Sequence, residues 1–268
     1  MARPRLVVVK VGSSTLVDAA GALDRDYIRS LCDQVARLVS LGTRVVIVSS
    51  GAAAAGRETL GFSDRPEDLA TLQACASAGQ ARLTQAYADV LAERGIPCGQ
   101  VLLTRRDVMD RDGFLNARTT LSRLIELGAV PVVNENDTVS TAEFAFGDND
   151  MLGALVSAMV GADLYLICSD VDGLYTANPQ EDPTATLIEH VDEVGPELTA
   201  LAGGAGTSFG TGGMSSKLRA ARAMLAVGVP MIICRGRRPD ALLDAVAGER
   251  VGTRFEAPAG APHEGGRK

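Results

Sequence analysis

Short apolar runs alternate with longer amphipathic stretches along most of the chain. The short runs are rich in β-branched residues and lack an in/out alternation, which is typical of strands buried on both faces of a parallel sheet. They predict these strands: Leu6–Val9, Arg44–Val48, Gln100–Leu103, Val130–Val133, Leu164–Cys168 and Val229–Cys234. The longer stretches predict these helices: Asp26–Leu41, Asp68–Arg94, Asn116–Leu127, Asn149–Val160 and Met214–Val227. The alternation predicts an α/β fold with a mostly parallel central sheet and helices on both faces.

A glycine follows each of the predicted helices. Each of the following comes directly after a helix, where a left-handed backbone is commonly needed: Gly42, Gly95, Gly128, Gly161 and Gly228. We find no linker composition and no internal repeat, so we predict a single domain over residues 1–258 and a flexible tail over residues 259–268. A soft boundary near residue 160 would separate two lobes of one continuous sheet, about 1–160 and about 161–258.

Composition and charge narrow the range of partners. The 268 residues carry a formal net charge of −7, and only 4% are aromatic. A surface that binds nucleic acid would show a basic excess and stacking aromatic side chains, so we expect no nucleic-acid partner. The apolar run before Lys10 is too short for a signal peptide, and the uncharged residues 151–162 are too few to cross a membrane. We therefore expect no membrane partner either.

The five cysteines are odd in number and widely spaced, and no C-x-x-C pair occurs. Their spacing suggests neither a zinc site nor a disulfide framework, and we expect no metal ion held by protein ligands. Cys168 and Cys234 lie in apolar runs and are expected to act as small buried hydrophobic residues. Reduced cysteines fit a cytoplasmic protein.

Candidate chemistry is sought at the carboxyl ends of the strands, where ligands of open α/β sheets bind. Residues 9–14 place Lys10 and Gly12 near the end of the first strand. An ammonium group beside exposed backbone N–H groups suits phosphate oxygens, although a solvated lysine closing a strand is an equally good explanation. Residues 48–56 are built from Ser, Gly and Ala, which would let a ligand approach the main chain. Tight helix-on-sheet packing explains that composition better on spacing alone.

Two further segments carry more specific signals. Residues 133–137 and 146–150 hold amide and carboxylate side chains in excess of what turns and helix caps require. A ligand with an ammonium group would find paired acceptors there. Residues 210–217 place glycines, hydroxyl groups and Lys217 at the start of a helix, which makes an anion cradle more plausible than a merely mobile loop. The segment is not a Walker A motif, because no Gly-x-x-x-x-Gly-Lys-Ser/Thr order occurs.

Three other patterns in the chain do not indicate a function. Residues 206–210 match the nucleophile elbow of α/β-hydrolases around Ser208, but no strand precedes them and the only histidines are His190 and His263. The dinucleotide-binding Gly-x-Gly-x-x-Gly is absent from the first strand–helix turn. The charges of residues 105–112 are most simply a solvated loop.

Taken together, these segments resemble the amino acid kinase family, and within it the members that phosphorylate glutamate. The likeness runs from about residue 5 to residue 255. The matching stretches are residues 8–14, 47–52, 114–118, 132–137, 147–150, 173–179 and 210–217. Among them, Asn-Glu-Asn-Asp and Gly-Asp-Asn-Asp separate the chain from family members that act on carbamate, acetylglutamate or uridylate.

The resemblance implies a three-layer α/β/α sandwich and ATP-dependent phosphorylation of the glutamate side-chain carboxylate, the first step toward proline, with Mg²⁺ assisting. It implies that Lys10 and Lys217 neutralise charge and that Asp150 orients them. The implied substrate-binding residues are Ser50, Asn134, Asp137, Asp148 and Asn149. The implied ATP-binding residues are Lys10, Gly12, Ser169, Asp170, Thr211, Gly212, Gly213, Met214, Ser215, Ser216 and Lys217. A carboxylate is ionised at neutral pH, so such a reaction needs no general base.

The resemblance also implies partners. These are L-glutamate and ATP, proline as a feedback inhibitor, a reductase that receives the acyl phosphate, and further copies of the chain in a homo-oligomer. Many family members carry a C-terminal PUA module; few residues follow Val251, so we expect none here. Two other functions stay open: a different carboxylate kinase of this fold, such as one for acetylglutamate, and a non-catalytic amino-acid sensor. Lys10, Asp150 and Lys217 argue against the sensor, which needs no phosphoryl-transfer groups.

Overall fold

The structure is a computed structural model that describes residues 3–18, 20–140, 149–202 and 213–257. Within these residues, the strands form one eight-stranded sheet in the order β3-β4-β2-β1-β5-β7-β8-β6. The strands are β1 (Leu6–Val11), β2 (Arg44–Ser49), β3 (Cys98–Leu103), β4 (Val130–Glu135), β5 (Leu164–Ser169), β6 (His190–Val191), β7 (Met231–Arg235) and β8 (Thr253–Phe255). Neighbouring strands are parallel except for β7 and β8.

Helices cover both faces of this sheet. They are α1 (Ser13–Leu16), α2 (Arg25–Ser40), α3 (Ala52–Thr59), α4 (Leu69–Ala92), α5 (Arg105–Met109), α6 (Arg111–Glu126), α7 (Asn149–Val160), α8 (Pro196–Ala202), α9 (Met214–Val227) and α10 (Ala241–Ala247). Side chains of a strand point alternately to its two faces. Accordingly, Val7 and Val9 pack in one core with α2, α4 and α10, whereas Leu6 and Val8 pack in the other with α6, α7 and α9. The predicted three-layer α/β/α arrangement is confirmed.

Most predicted elements are confirmed to within a few residues. The bounds of α7 and α9 agree with the predicted helices at both ends. All five glycines expected to end helices have a positive φ, between 65° and 87°. Cys168 and Cys234 are fully buried, as predicted. The sheet continues across residue 160, because β5 pairs with β1.

Two predictions about local structure are wrong. Residues 105–112 are not a loop, since they form α5 and the start of α6; a capping box between Thr104 and Asp107 begins α5. Lys10 does not close its strand, because β1 runs on to Val11. The small residues after Ser50 form a helix, α3, which agrees with the helix packing that their spacing favours. In the two wrong predictions, charged residues concealed the course of a helix or of a strand.

The predicted tail, residues 259–268, lies outside the described residues, as do Asp148, Thr211 and Gly212. Among the helices that the structure describes, none combines the length and the apolar character needed to span a bilayer.

Candidate active site

The candidate site lies at one edge of the sheet. Strands β1, β2, β4 and β5 are parallel, so their carboxyl ends meet there. Helices α3 and α7 begin at this edge, and α9 meets it with its first turn. Gly51, with φ 96°, provides the left-handed turn that leads from β2 into α3. Side chains from segments far apart in sequence therefore converge on the same place.

A buried carboxylate joins the two lysines that the sequence singled out. Asp150, in the first turn of α7, is 0% exposed. One carboxylate oxygen pairs with Nζ of Lys10, and the other lies 3.2 Å from Nζ of Lys217 and accepts from Oγ of Ser216 at 2.8 Å. We call these four residues the charge hub. Two ammonium groups thus converge on one buried carboxylate.

The strand register explains why Lys10 reaches this carboxylate. Lys10 is in phase with Val8, and both face the layer that contains α7 and α9. The lysine side chain is only 5% exposed, and it is buried at tolerable cost because the carboxylate of Asp150 compensates its charge.

The electrostatics of the hub favour an ionised Asp150. Burial opposes ionisation, but the charges of Lys10 and Lys217 and the hydrogen bonds from Lys10 and Ser216 outweigh it. They hold the pKa of the Asp150 carboxyl below its usual value. The hydroxyl of Tyr165 also donates to the backbone carbonyl of Asp150 at 2.8 Å. Tyr165 was not anticipated from the sequence, where it reads only as an aromatic core residue of β5.

Three of the predicted substrate-binding residues form a second group, which we call the amide cluster: Ser50, Asn134 and Asn149. Asn149 Nδ2 donates to Ser50 Oγ at 2.9 Å, to Asn134 Oδ1 at 2.8 Å and to the Ser49 carbonyl at 3.0 Å. Asn149 and Asp150 are adjacent in sequence, so the amide cluster and the charge hub share the first turn of α7.

Asn134 has a further partner that the sequence did not identify. Its Nδ2 donates to Oε1 of Gln80, on α4, at 2.8 Å. A second glutamine of α4, Gln73, donates to the carbonyl of Ser140 at 2.8 Å, in the chain that follows β4. The two glutamines are seven residues apart, which places them on the same face of the helix. That spacing is the signal in the sequence from which the contact could have been suspected.

An acidic pair lies beside the amide cluster at the end of β4. Burial and, second, the charge of Glu135 raise the pKa of Asp137 to about 6. Glu135 itself is buried and accepts from the hydroxyl of Ser140 at 2.7 Å. Two carboxylates held close together, one of them half-buried, form a natural receptor for an ammonium group.

The predicted nucleotide segments lie around the hub. The backbone N–H of Gly12 donates to the carbonyl of Cys168 at 3.3 Å, which ties the end of β1 to the end of β5. Ser169 is buried and donates to the exposed carboxylate of Asp170 at 3.0 Å. On the other side, Gly213 begins α9 without a side-chain cap, so no side chain of the cap residue covers the first N–H groups of the helix. Met214 is partly buried there and Ser215 is exposed.

The described residues of the site do not form a ligand set for a metal ion. No group of three or more His, Cys, Asp or Glu side chains suited to a metal ion occurs in the described residues. The most buried carboxylate, Asp150, is already occupied by two ammonium groups and a hydroxyl. The described residues therefore do not fit a metal ion held by protein ligands alone.

The arrangement suits the transfer of a phosphoryl group. Two ammonium groups and an uncapped helix N-terminus can neutralise a polyphosphate in a water-poor setting. An amide cluster and an acidic pair, adjacent to them, can hold a small molecule that carries an ammonium group. Fold and site together therefore define a kinase that acts on a small amino-acid-like acceptor.

Comparison with known proteins identifies the class directly. The amino acid kinase family matches residues 5–235, and the chain belongs to that family. Several of its curated relatives are glutamate 5-kinases. The protein from Geobacter sp. (strain M21) is 51% identical over 254 residues, which cover 95% of this chain and 68% of the relative. The proteins from Trichlorobacter lovleyi and Burkholderia mallei are each 47% identical and cover 94% and 96% of this chain.

The chain spans 67% to 69% of the length of these three relatives. Among solved structures, a UMP kinase from Bacillus anthracis superposes with a TM-score of 0.66 at 15% identity. The superposition covers 96% of this chain and 98% of that one. At such low identity the likeness establishes the fold, and it agrees with the sheet and layers described above.

Proposed function

We propose that the chain is a glutamate 5-kinase, which transfers the γ-phosphoryl group of ATP to the side-chain carboxylate of L-glutamate. The products are L-glutamyl 5-phosphate and ADP, and the reaction is the first step of proline biosynthesis. One observation carries this proposal: Lys10 and Lys217, distant in sequence, both contact the same buried carboxylate, next to a cluster suited to an amino acid. The glutamate 5-kinases to which the chain is about half identical support the same acceptor.

In the proposed reaction, a carboxylate oxygen of glutamate attacks the γ-phosphorus. The new O–P bond forms as the bond to the β–γ bridging oxygen breaks, and the electron pair leaves on ADP. No proton is transferred, because the carboxylate is already ionised at neutral pH. The main barrier is the repulsion between two anions and the alignment of the reacting atoms.

The charge hub would lower this barrier. We assign Lys10 and Lys217 to the transferring phosphoryl group and the bridging oxygen, where negative charge develops. Asp150 holds both ammonium groups in place through its two oxygens. Because the hub is almost fully buried, its charges are poorly screened and act strongly on a bound phosphate. The first turn of α9, from Gly213 to Lys217, would hold the phosphates, together with Gly12, Ser169 and Asp170 on the opposite side.

The amide cluster and the acidic pair would bind glutamate. We assign Asp137 to the substrate ammonium, and Ser50, Asn134 and Asn149 to the polar groups of the amino acid. From the sequence alone, we also assign Asp148 to glutamate binding. Thr211 and Gly212 are assigned to ATP binding on the same basis. We further propose that, apart from Lys10 and Gly12, residues before about 160 bind the amino acid and later residues bind the nucleotide, with Asp150 contacting Lys10 and Lys217.

Finer features of the proposed function rest on the chemistry of the substrates. ATP would enter as its magnesium complex, with the metal on the phosphates. Proline shares the α-carboxylate and the ammonium group of glutamate, so we propose that it inhibits by competing for the acidic pair. The acyl phosphate hydrolyses readily, which favours direct transfer to glutamyl phosphate reductase. We also propose a cytoplasmic homo-oligomer, because the five cysteines are free and large apolar side chains such as Phe62 and Leu69 are exposed.

A hydroxylamine trap tests the reaction. Hydroxylamine converts an acyl phosphate to a hydroxamate, which ferric iron colours. We expect ATP-dependent hydroxamate from L-glutamate, and far less from L-aspartate or N-acetyl-L-glutamate, because aspartate is too short and the acetyl group removes the charge that Asp137 binds. Stoichiometric ADP should accompany the product. Preference for acetylglutamate would indicate a different carboxylate kinase, and no ADP with any acceptor would indicate a binding protein.

A further inference from the structure

We propose that Gln80, on α4, is a positioning residue for the amino-acid substrate: it fixes the orientation of the Asn134 amide and, through Asn134, that of Asn149. The proposal rests on the proposed function, in which the amide cluster binds glutamate. Gln80 is not itself assigned to substrate contact; it acts on residues that are.

The hydrogen bonds of Gln80 favour one orientation of its side-chain amide. Its Oε1 accepts from Asn134 Nδ2 at 2.8 Å, and its Nε2 donates to Thr84 Oγ1 at 3.1 Å. Thr84 Oγ1 accepts a second bond, from Gln100 Nε2 at 3.0 Å. If the Gln80 amide were reversed, its Nε2 would face Nδ2 of Asn134, donor against donor. The Thr84 hydroxyl accepts from both glutamines, which leaves Gln80 Oε1 as the acceptor toward Asn134.

Asn134 is oriented in turn. With its Nδ2 directed to Gln80, its Oδ1 accepts from Asn149 Nδ2 and from the backbone N–H of Glu135, both at 2.8 Å. A reversed Asn134 would place an N–H₂ group against these two donors. Because Asn134 Oδ1 is an acceptor, it receives a hydrogen bond from Asn149 Nδ2. The same Nδ2 group also donates to Ser50 Oγ and to the Ser49 carbonyl. Gln80 thus acts together with the Glu135 N–H and the Ser49 carbonyl to set which end of each amide in the cluster is the acceptor.

The position of Gln80 is itself fixed by close backbone packing. The preceding residue, Gly79, packs against α3 so tightly that a Cβ there would lie 1.9 Å from the carbonyl oxygen of Ala52. On α3, a Cβ at Gly56 would lie 1.7 Å from the carbonyl oxygen of Cys75. Because α3 begins just after Ser50, this glycine contact ties Gln80 to the same strand end that carries the amide cluster.

The test compares three variants of the full chain in steady-state kinetics with glutamate and ATP. Gln80→Leu removes the acceptor at similar size, and we expect the KM for glutamate to rise about tenfold, while the KM for ATP stays within about twofold. Gln80→Glu keeps an oxygen acceptor toward Asn134, and we expect its KM for glutamate to stay within about threefold of wild type. Gln85→Leu, an exposed glutamine on the same helix, serves as the matched control and should change neither KM.

A double-mutant cycle tests the proposed route through Asn134. In an Asn134→Ala background, Gln80→Leu should add little to the KM for glutamate, because the group through which it acts is gone. An additive effect would overturn the proposal, as would an unchanged KM in Gln80→Leu or an equal defect in Gln80→Glu. If Gln80→Leu unfolds, Gln80→Met replaces it. Unfolding of both would assign Gln80 to stability and also overturn the proposal.

A failure of the positioning role of Gln80 can be distinguished from a failure of the proposed kinase function. Wild-type turnover of glutamate tests the function, whereas the contrast between Gln80→Leu and Gln80→Glu tests the positioning role. If the wild type phosphorylates glutamate and the two variants behave alike, only the positioning role fails. If the wild type binds glutamate without turnover, the affinities of the same variants, measured by calorimetry, carry the test.

Discussion

At the scale of single residues, Asp150 sets the electrostatics of the site. Its two oxygens hold two ammonium groups, those of Lys10 and Lys217, at one buried point. Two cations held close together where water is scarce suit an anionic polyphosphate.

Lys217→Met tests this role. We expect the turnover number to fall by about 10² to 10³, the usual loss when a donor to a developing charge is removed. The variant should remain folded, because Lys10 still neutralises Asp150 and the methionine fills a similar volume. Thermal unfolding and ADP release measure the two effects. Arg222→Met, an exposed cation on the same helix whose partners are Val194 and Thr199, is the control, and near-normal turnover of Lys217→Met would refute the assignment.

Asp137 makes the amino-acid side of the site sensitive to pH. Its pKa is raised to about 6 in the folded chain, mainly by burial and then by Glu135. Only the ionised form attracts an ammonium group, so the kcat/KM for glutamate should fall as the pH is lowered through about 6. In Asp137→Asn this titration should disappear, and the KM for glutamate at pH 8 should rise about tenfold. An unchanged pH profile in the variant would contradict the role of Asp137.

The same pKa makes a prediction about stability. A raised carboxyl pKa means that, between about pH 4 and pH 6, the folded chain binds more protons than the unfolded chain. The contribution of Asp137 to the free energy of unfolding is therefore lost as the pH rises through that window. Asp137→Asn should be more stable than wild type at pH 7, and the difference should vanish near pH 4. Urea unfolding at the two pH values measures it.

At the scale of elements, the site depends on how α3 and α4 pack. Gly56 and Gly79 let the two backbones touch, which holds the start of α3 and the face of α4 that carries Gln80 against the strand ends. A side chain at either glycine would force the helices apart.

Gly79→Ala tests the role of this contact. Its Cβ would lie 1.9 Å from the Ala52 carbonyl oxygen, so we expect a loss of about 1–3 kcal/mol in the free energy of unfolding. The displaced helices should also raise the KM for glutamate more than the KM for ATP. Gly195→Ala is a matched control, because no atom lies within 4 Å of a Cβ there. Equal stability of the two variants would be inconsistent with a tight crossing.

At the scale of the whole molecule, one continuous sheet would hold the two substrates side by side. Strand β1 lies between β2 and β5, and thus between the strands we assign to glutamate and those we assign to ATP. Asp150, on α7, pairs with Lys10 of β1 and with Lys217 of α9. Neither substrate site is a separate folding unit, because the strands of both share the same two hydrophobic cores.

Hydrogen exchange can test the division into two substrate regions. A non-hydrolysable ATP analogue should slow exchange mainly in the ends of β5 and β7 and the start of α9. Glutamate should slow exchange mainly in the end of β2, the end of β4 and the start of α7. Protection of the same peptides by both ligands would argue against the proposed boundary near residue 160. Glutamine, which lacks the acceptor carboxylate, provides a control for the second ligand.

The sequence by itself determined the class of fold and most of its elements. Apolar runs and helical periodicity report which residues each element buries, and that information is local. Hence the predicted bounds of α7 and α9 agree with the structure, and the glycines after five helices take the expected left-handed backbone. The T-x-x-D pattern of Thr104 and Asp107 was also present, but the surrounding charges concealed the helix that it begins.

Only the tertiary structure decided which of the candidate residues meet. Lys10 looked like the end of a strand because lysine is rarely buried, yet β1 continues past it, since Asp150 supplies the compensating charge. The sequence did not indicate Gln80 as a site residue, because its partner, Asn134, belongs to a different element. Strand order and helix crossings bring such pairs together, and they arise from packing between distant segments, which no local pattern records.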